Sequence, residues 1–210
     1  MCHDRGVCAE TSDSVHQAAV DLAVATVHAV LTESPTEPKA LLEGITSDEY
    51  VTKSMAEPIA TFVTLQVNGH LRGCIGTLAA LLPMYADIVK NARKATHDPR
   101  MSPLRTEEWP RLSVSVSILS QPESLRADDF DSLCAQLRPG VDGLTLKHAG
   151  QRATFLPSVW EKMPQPEQFV AALLRKGGWN HTRWPERMRA ERYSTVNLHS
   201  RPPRNRIDAP

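Results

Sequence analysis

Cysteine, arginine and histidine at alternate positions of His70-Leu71-Arg72-Gly73-Cys74-Ile75-Gly76 are the residues of this chain best equipped for chemistry. The attacking species in cysteine chemistry is the thiolate, and a neighbouring cation lowers a thiol pKa from its free value of about 8.5. The segment follows a β-like run, Ala60 to Val67, across Asn68-Gly69. Asn and Gly tolerate the positive φ that both central residues of a type I′ hairpin turn require. A two-residue loop there predicts Val67 opposite His70, Leu65 opposite Arg72 and Val63 opposite Cys74. Strand side chains alternate, so His70, Arg72 and Cys74 are expected on one face, with Leu71 and Ile75 on the other. Gly73 and Gly76 predict a close approach by a substrate or partner backbone.

Two readings of Cys74 stand open. In one it is a reactive thiolate lining a crevice with Arg72 and Asp98. In the other it is a small buried hydrophobe that shares a face with Val63 and Leu65, while a carboxylate holds Arg72. His97-Asp98-Pro99-Arg100 divides in the same way. A His–Asp pair can orient a base for Cys74. Alternatively, a positive His97 suits the negative end of a helix dipole, with Asp98 and Arg100 tying that helix to a sheet. Candidate catalytic residues are thus Cys74, Arg72 and Asp98, and candidate binding residues His70, Gly73, Gly76 and Arg100.

Leu71 to Gly76 resembles the signature hexapeptide of the AMMECR family. The likeness continues through Phe62-Val63-Thr64-Leu65, Asp98-Pro99-Arg100 with Pro103-Leu104, Ser115-Val116-Ser117, Pro139-Gly140-Val141 and Gly143-Leu144. It then runs through Ala153 to Trp160, Glu167-Gln168-Phe169 and a closing Lys176-Gly177-Gly178-Trp179, covering Val15 to Leu198. The chain departs from the family pattern at Thr96-His97 (usually Ala-Phe), at Met101 (usually Phe) and at Gly177 and Trp179 (usually Ala and Leu). Phe at the His97 position counts against a general-base role there, leaving Asp98 and Arg100 as the better site residues. The resemblance implies an α+β fold of two lobes in one compact unit. It also implies an association with a radical-SAM protein and a Memo-type protein, and no particular reaction.

The totals exclude several classes. Lys+Arg and Asp+Glu are both 24 among 210 residues, and aromatic content is 5%. Neither a basic field nor a base-stacking surface is present, so nucleic acid is not an expected partner. The four cysteines include no C-x-x-C pair and no spacing for an iron–sulfur cluster, so no disulfide framework or cofactor is expected. Cys2, His3 and Cys8 carry donor chemistry, but a short polar tail points to adventitious metal binding, and no metal site is expected. Ala18 to Leu31 is interrupted by Asp21 and His28, so no membrane span is expected and the cytoplasm is the expected location. Nothing in the sequence indicates an oligomeric state.

Periodicity places the supporting elements. Residues 1–13 read as a flexible tail, 14–199 as the domain and 200–210, rich in Pro and Arg, as a disordered tail. Helices are expected from Ser14 to about Glu33, briefly at Lys39 to Glu43, from Met84 to about His97, from Ala127 to Leu137 and from Pro166 to about Arg175. Thr46 to Glu49 reads as a boundary in an otherwise irregular stretch. Lys90, Arg93 and Lys94 turn outward as a solvated face. Arg111 to Ser120 alternates as a strand with a serine-lined outer face. A second hairpin spans Gly143 to Phe155, and one strand runs from Met188 to Leu198. Hairpins mixed with helices, without βαβ alternation, predict an antiparallel or mixed sheet with flanking helices.

Overall fold

The computed structural model describes residues 5–179 and 184–200, with residues 5–11 described by backbone alone. In chain order the elements are α1 (Arg5–Leu31), α2 (Pro38–Glu43), α3 (Glu49–Met55), β1 (Thr61–Val67), β2 (His70–Gly76), α4 (Met84–Ala95) and β3 (Leu112–Leu119). They continue with β4 (Glu123–Leu125), α5 (Phe130–Cys134), β5 (Gly143–His148), β6 (Gln151–Phe155), α6 (Pro166–Lys176), β7 (Arg189–Tyr193) and β8 (Thr195–Ser200). The fold is α+β, with two antiparallel sheets and flanking helices. One compact unit takes in the chain up to Ile118 and resumes at Val196; the other is Leu119–Thr195.

The first unit holds a sheet of order β2-β1-β3-β8. Val63 and Leu65 of β1 and Val114 and Val116 of β3 have no exposed surface and share a core with Ile88 and Ala92 of α4 and Leu22 and Ala23 of α1. A buried carboxylate locks α4 to the strands. Asp87 Oδ2 accepts from the Thr61 backbone N–H at 2.9 Å, from Thr61 Oγ1 at 2.8 Å, from Asn91 Nδ2 at 3.0 Å and from Thr77 Oγ1. These donors come from the start of β1, from just past β2 and from α4 itself, so one side chain ties three elements.

The second unit holds a sheet of order β4-β7-β5-β6, with Leu144 and Leu146 in one core with Phe169, Val170 and Leu173 of α6. Trp160 stacks on Phe169 with centroids 3.9 Å apart and donates from Nε1 to the Asp142 carbonyl at 2.6 Å. Gly177 lies against the Trp179 ring, and a Cβ there would sit 2.1 Å from a ring carbon. The two departures at the closing segment are therefore one packing change, in which a larger ring is matched by a residue with no side chain.

Several expectations need correction. Helix α1 begins at Arg5, ahead of Ser14, because extending an existing helix adds a hydrogen bond per residue without a new nucleus. Its Ser12–Leu31 stretch is long and apolar enough to cross a membrane despite Asp21 and His28, and half of it is buried within the protein. The 33–58 region contains a second helix, α3, whose N-cap Asp48 accepts from the backbone N–H groups of Tyr50 and Val51, as a capping carboxylate does. The closing strand is two strands, β7 and β8, which join different sheets. The Ala127–Leu137 helix shortens to α5, capped by Asp129. Residues 201–210, read as a tail, lie outside the described residues.

The Asp87 cluster yields a prediction. Asp87→Ala leaves the buried Thr61 N–H and hydroxyl without their acceptor and removes one acceptor from Asn91 Nδ2. It should cost about 3 kcal/mol of stability, measured as a lowered urea midpoint at unchanged m-value.

Candidate functional site

The Asn68-Gly69 turn forms as its chemistry requires, with φ of 52° and 80°, and Val67 pairs with His70. Beyond that the register departs from expectation. Gln66 pairs with Leu71, Leu65 with Gly73, Thr64 with Cys74 and Val63 with Ile75. Arg72 is the extra residue of a β-bulge, which re-aims a side chain and shifts the phase of every residue beyond it. Paired residues share a sheet face. His70, opposite buried Val67, and Cys74, opposite Thr64, therefore fall on opposite faces, and the expected His70–Arg72–Cys74 row does not form. Gly73 in mid-strand was the available signal, since an isolated strand glycine marks bulges and close backbone approach.

Both glycines are occupied by the protein itself. A Cβ on Gly73 would lie 2.0 Å from the Ala95 carbonyl oxygen, and one on Gly76 would lie 2.1 Å from the Phe62 ring. Gly73 thus lets the last turn of α4 rest on the strand. The close approach read from the sequence is a helix packing against its own sheet.

Arg72 is engaged by a carboxylate and two backbone carbonyls. Its Nε and Nη2 donate to the two carboxylate oxygens of Glu108 at 2.9 and 2.7 Å, and Nη1 and Nη2 donate to the carbonyls of Ser102 and Pro103 at 2.9 and 3.0 Å. The bidentate geometry is the strong form of this pair. The Arg72 hydrogen bond holds the Glu108 carboxyl below its usual range, and Glu108 raises the Arg72 guanidinium in turn. Glu108 went unread in the sequence because nothing local links it to an arginine 36 positions away.

Asp98 has a side chain with no exposed surface. Its Oδ2 accepts from the Cys74 backbone N–H at 2.9 Å and from Arg100 Nη2 at 2.6 Å, and its Oδ1 accepts from the Arg100 N–H at 3.0 Å and Nε at 2.9 Å. Arg100 Nη2 also donates to the Cys74 carbonyl at 2.7 Å. Hydrogen bonding to Arg100 holds the Asp98 carboxyl far below its ordinary range, so it is an anion at physiological pH and not a general acid. Asp98 and Arg100 together grip both backbone polar groups of Cys74.

Cys74 itself is half-buried, with Thr64 Oγ1 donating to its Sγ at 3.2 Å. Thr64 also pairs with Ser115, whose Oγ is 2.9 Å from His199 Nδ1, and Ser117 Oγ donates to Asn197 Oδ1 at 2.7 Å. The serine row expected on the outer face of β3 is therefore engaged by β8, a partner that sequence spacing did not suggest. His97 is exposed, with Nδ1 2.8 Å from Thr96 Oγ1. Among the described residues, no His, Cys, Asp and Glu set could hold a metal. Cys2 and His3 lie outside the described residues, and Cys8 is described by backbone alone. Trp160 and Lys176 belong to the second unit, where Lys176 donates to the Thr154 carbonyl at 3.0 Å and sits over the Phe155 ring. Cys134 is buried there, its thiol pushed up to about 11 by desolvation.

These features define an α+β protein built around a bulged hairpin whose hexapeptide is clamped to the end of a helix. The AMMECR1 family profile matches residues 20–198, and the chain belongs to that family. It is similar to a protein of Methanothermobacter thermautotrophicus, 35% identical over 56% of this chain and 62% of the relative. It is also similar to one of Thermoplasma acidophilum, 33% identical over 57% of this chain and 59% of the relative. The matched stretches thus span about three fifths of these relatives. The crystal structure of the uncharacterized protein PH0010 from Pyrococcus horikoshii superposes with a TM-score of 0.74 at 25% identity, over 88% of this chain and 91% of that one.

The Asp98 clamp makes a pH prediction. A carboxyl whose folded pKa is depressed contributes stability that is complete above its unfolded value of about 4 and is lost as pH falls through the folded value. Asp98→Asn should therefore be less stable than wild type at pH 7. The gap should narrow below about pH 4, as followed by thermal unfolding across pH.

Proposed function

We propose that the protein is a cytoplasmic, non-catalytic binding module that works with a radical-SAM protein and a Memo-type protein, presenting its β1–β2 hairpin to them. One observation carries this reading: the motif's charged groups are engaged with one another and with backbone. Glu108 and two carbonyls take Arg72, while Arg100 and the Cys74 N–H take Asp98. Such groups position a strand, and a fixed strand positions its tip. Leu71, next to the bulge, is 42% exposed, and a rigid exposed apolar side chain is what a partner's pocket can use as an anchor.

A second reading has its own support. Cys74 is half-buried and its Sγ accepts from the Thr64 hydroxyl at 3.2 Å, which orients a thiol that is not sealed in the core. On this reading Cys74 is the nucleophile of an enzyme or enzyme subunit.

Binding measured by calorimetry against purified radical-SAM and Memo-type proteins from the same organism separates the two. The binding reading expects Leu71→Asp to weaken association at least tenfold at unchanged melting temperature, while Cys74→Ser leaves it intact. No association, together with iodoacetamide alkylation of Cys74 that titrates well below the free-thiol value of about 8.5, would overturn it in favour of the enzyme.

A further inference from the structure

On the helix side of the hairpin, a surface cavity of about 850 Å³ is lined by Val30, Ile75 and Pro99 together with Lys90, Arg93, Lys94 and His97. Its remaining lining comes from Glu33, Ser34 and Thr36, where the chain leaves α1. The volume is of the size that small-molecule sites have. Lys90, Arg93, Lys94 and His97 follow the i, i+3, i+4, i+7 spacing of a single helix face, so their heads converge on one side of α4 and its C-terminal turn.

The helix dipole accounts for cations in the last turn, where Arg93 and Lys94 stand. It does not account for Lys90, a turn earlier. Like charges at these spacings oppose helix formation. Among the described residues none of the three has an ion-pair partner within 4 Å. Three cations against the single carboxylate of Glu33 leave an excess of two positive charges at the cavity, in a chain whose formal net charge is zero. The solvated face expected from the sequence is thus the charged wall of a cavity whose floor is apolar.

We propose that this cavity binds a small organic phosphate monoester, its dianion held by Lys90, Arg93 and Lys94 and its flat apolar body resting on Val30, Ile75 and Pro99. A phosphate monoester near neutral pH carries close to two negative charges and three acceptor oxygens, which matches the local excess and the three cationic donors. The hydroxyls of Ser34 and Thr36 and the His97 ring supply further polar contacts at the rim. Ile75 belongs to the signature hexapeptide and Pro99 neighbours Asp98, so the same clamp that fixes Cys74 also fixes the cavity floor. The site is independent of the partner-binding reading, since Leu71, paired with Gln66, shares the Cys74 face of β2, opposite the face of Ile75.

The test uses 1-naphthyl phosphate as the probe, with 1-naphthol and inorganic phosphate as its separate halves, titrated by fluorescence and calorimetry into the full chain. The probe is expected to bind at least tenfold more tightly than either half. Lys90→Gln and Lys94→Gln, surface changes that leave the core intact, should each weaken it severalfold and together at least tenfold. Glu33→Gln should tighten it. Inorganic phosphate binding as well as the probe would mean an adventitious anion only and would overturn the proposal. So would 1-naphthol binding as well as the probe, no binding of the probe, or affinity unmoved by the Lys90 and Lys94 changes.

Discussion

A carboxylate with no exposed surface, Asp98, stands where the chain leaves α4, and the arrangement around the hexapeptide depends on how its charge is satisfied. Burying an ionised group costs several kcal/mol unless hydrogen bonds and an opposite charge replace its water. Here Arg100 supplies the charge and the Cys74 N–H supplies a hydrogen bond from the strand. Moving the Asp98 side chain breaks its hydrogen bond with the Cys74 N–H, and sliding β2 takes that donor from the buried carboxylate. Register, helix position and loop geometry are therefore one coupled quantity.

Two further contacts make the coupling rigid. Gly73 brings the Ala95 carbonyl to a distance that no side chain would permit, so α4 lies directly on the strand. Arg72, displaced from the strand's alternation by the bulge, binds Glu108 and the carbonyls of Ser102 and Pro103, anchoring the connection that leads into β3. Three consecutive residues, Arg72, Gly73 and Cys74, thus each fasten the hairpin to a different piece of the chain. The short hexapeptide does the work of a structural joint, and whatever binds on either face of β2 meets a surface that is already organised.

The opposite faces of β2 then differ in character. On one, Cys74, Thr64, Ser115 and His199 form a polar row across β2, β1, β3 and β8. On the other, Ile75 reaches the floor of a cavity walled by the cations of α4. A single bulge residue sets this division, because a one-residue slip in a strand exchanges the faces of all side chains beyond it.

The sequence alone determined several of the local elements and the family. Asn68-Gly69 specified the turn, the apolar period of Met84 to Ala95 specified α4, and the alternation of Leu112 to Leu119 specified β3, because each signal lies within a few residues of its effect. Ordered motif blocks from Phe62 to Trp179 were enough for the family and the α+β class. What the tertiary structure decided was every relation across distance: the Arg72–Glu108 pair, the bulge that separates His70 from Cys74, the split of the last strand between two sheets, and the gathering of Lys90, Arg93 and Lys94 around a cavity. A carboxylate 36 positions away leaves no local trace in the chain, and a bulge is chosen by what the displaced side chain can reach. The sequence listed the charged residues of the site; folding decided which of them neutralise one another and which are left to meet a ligand.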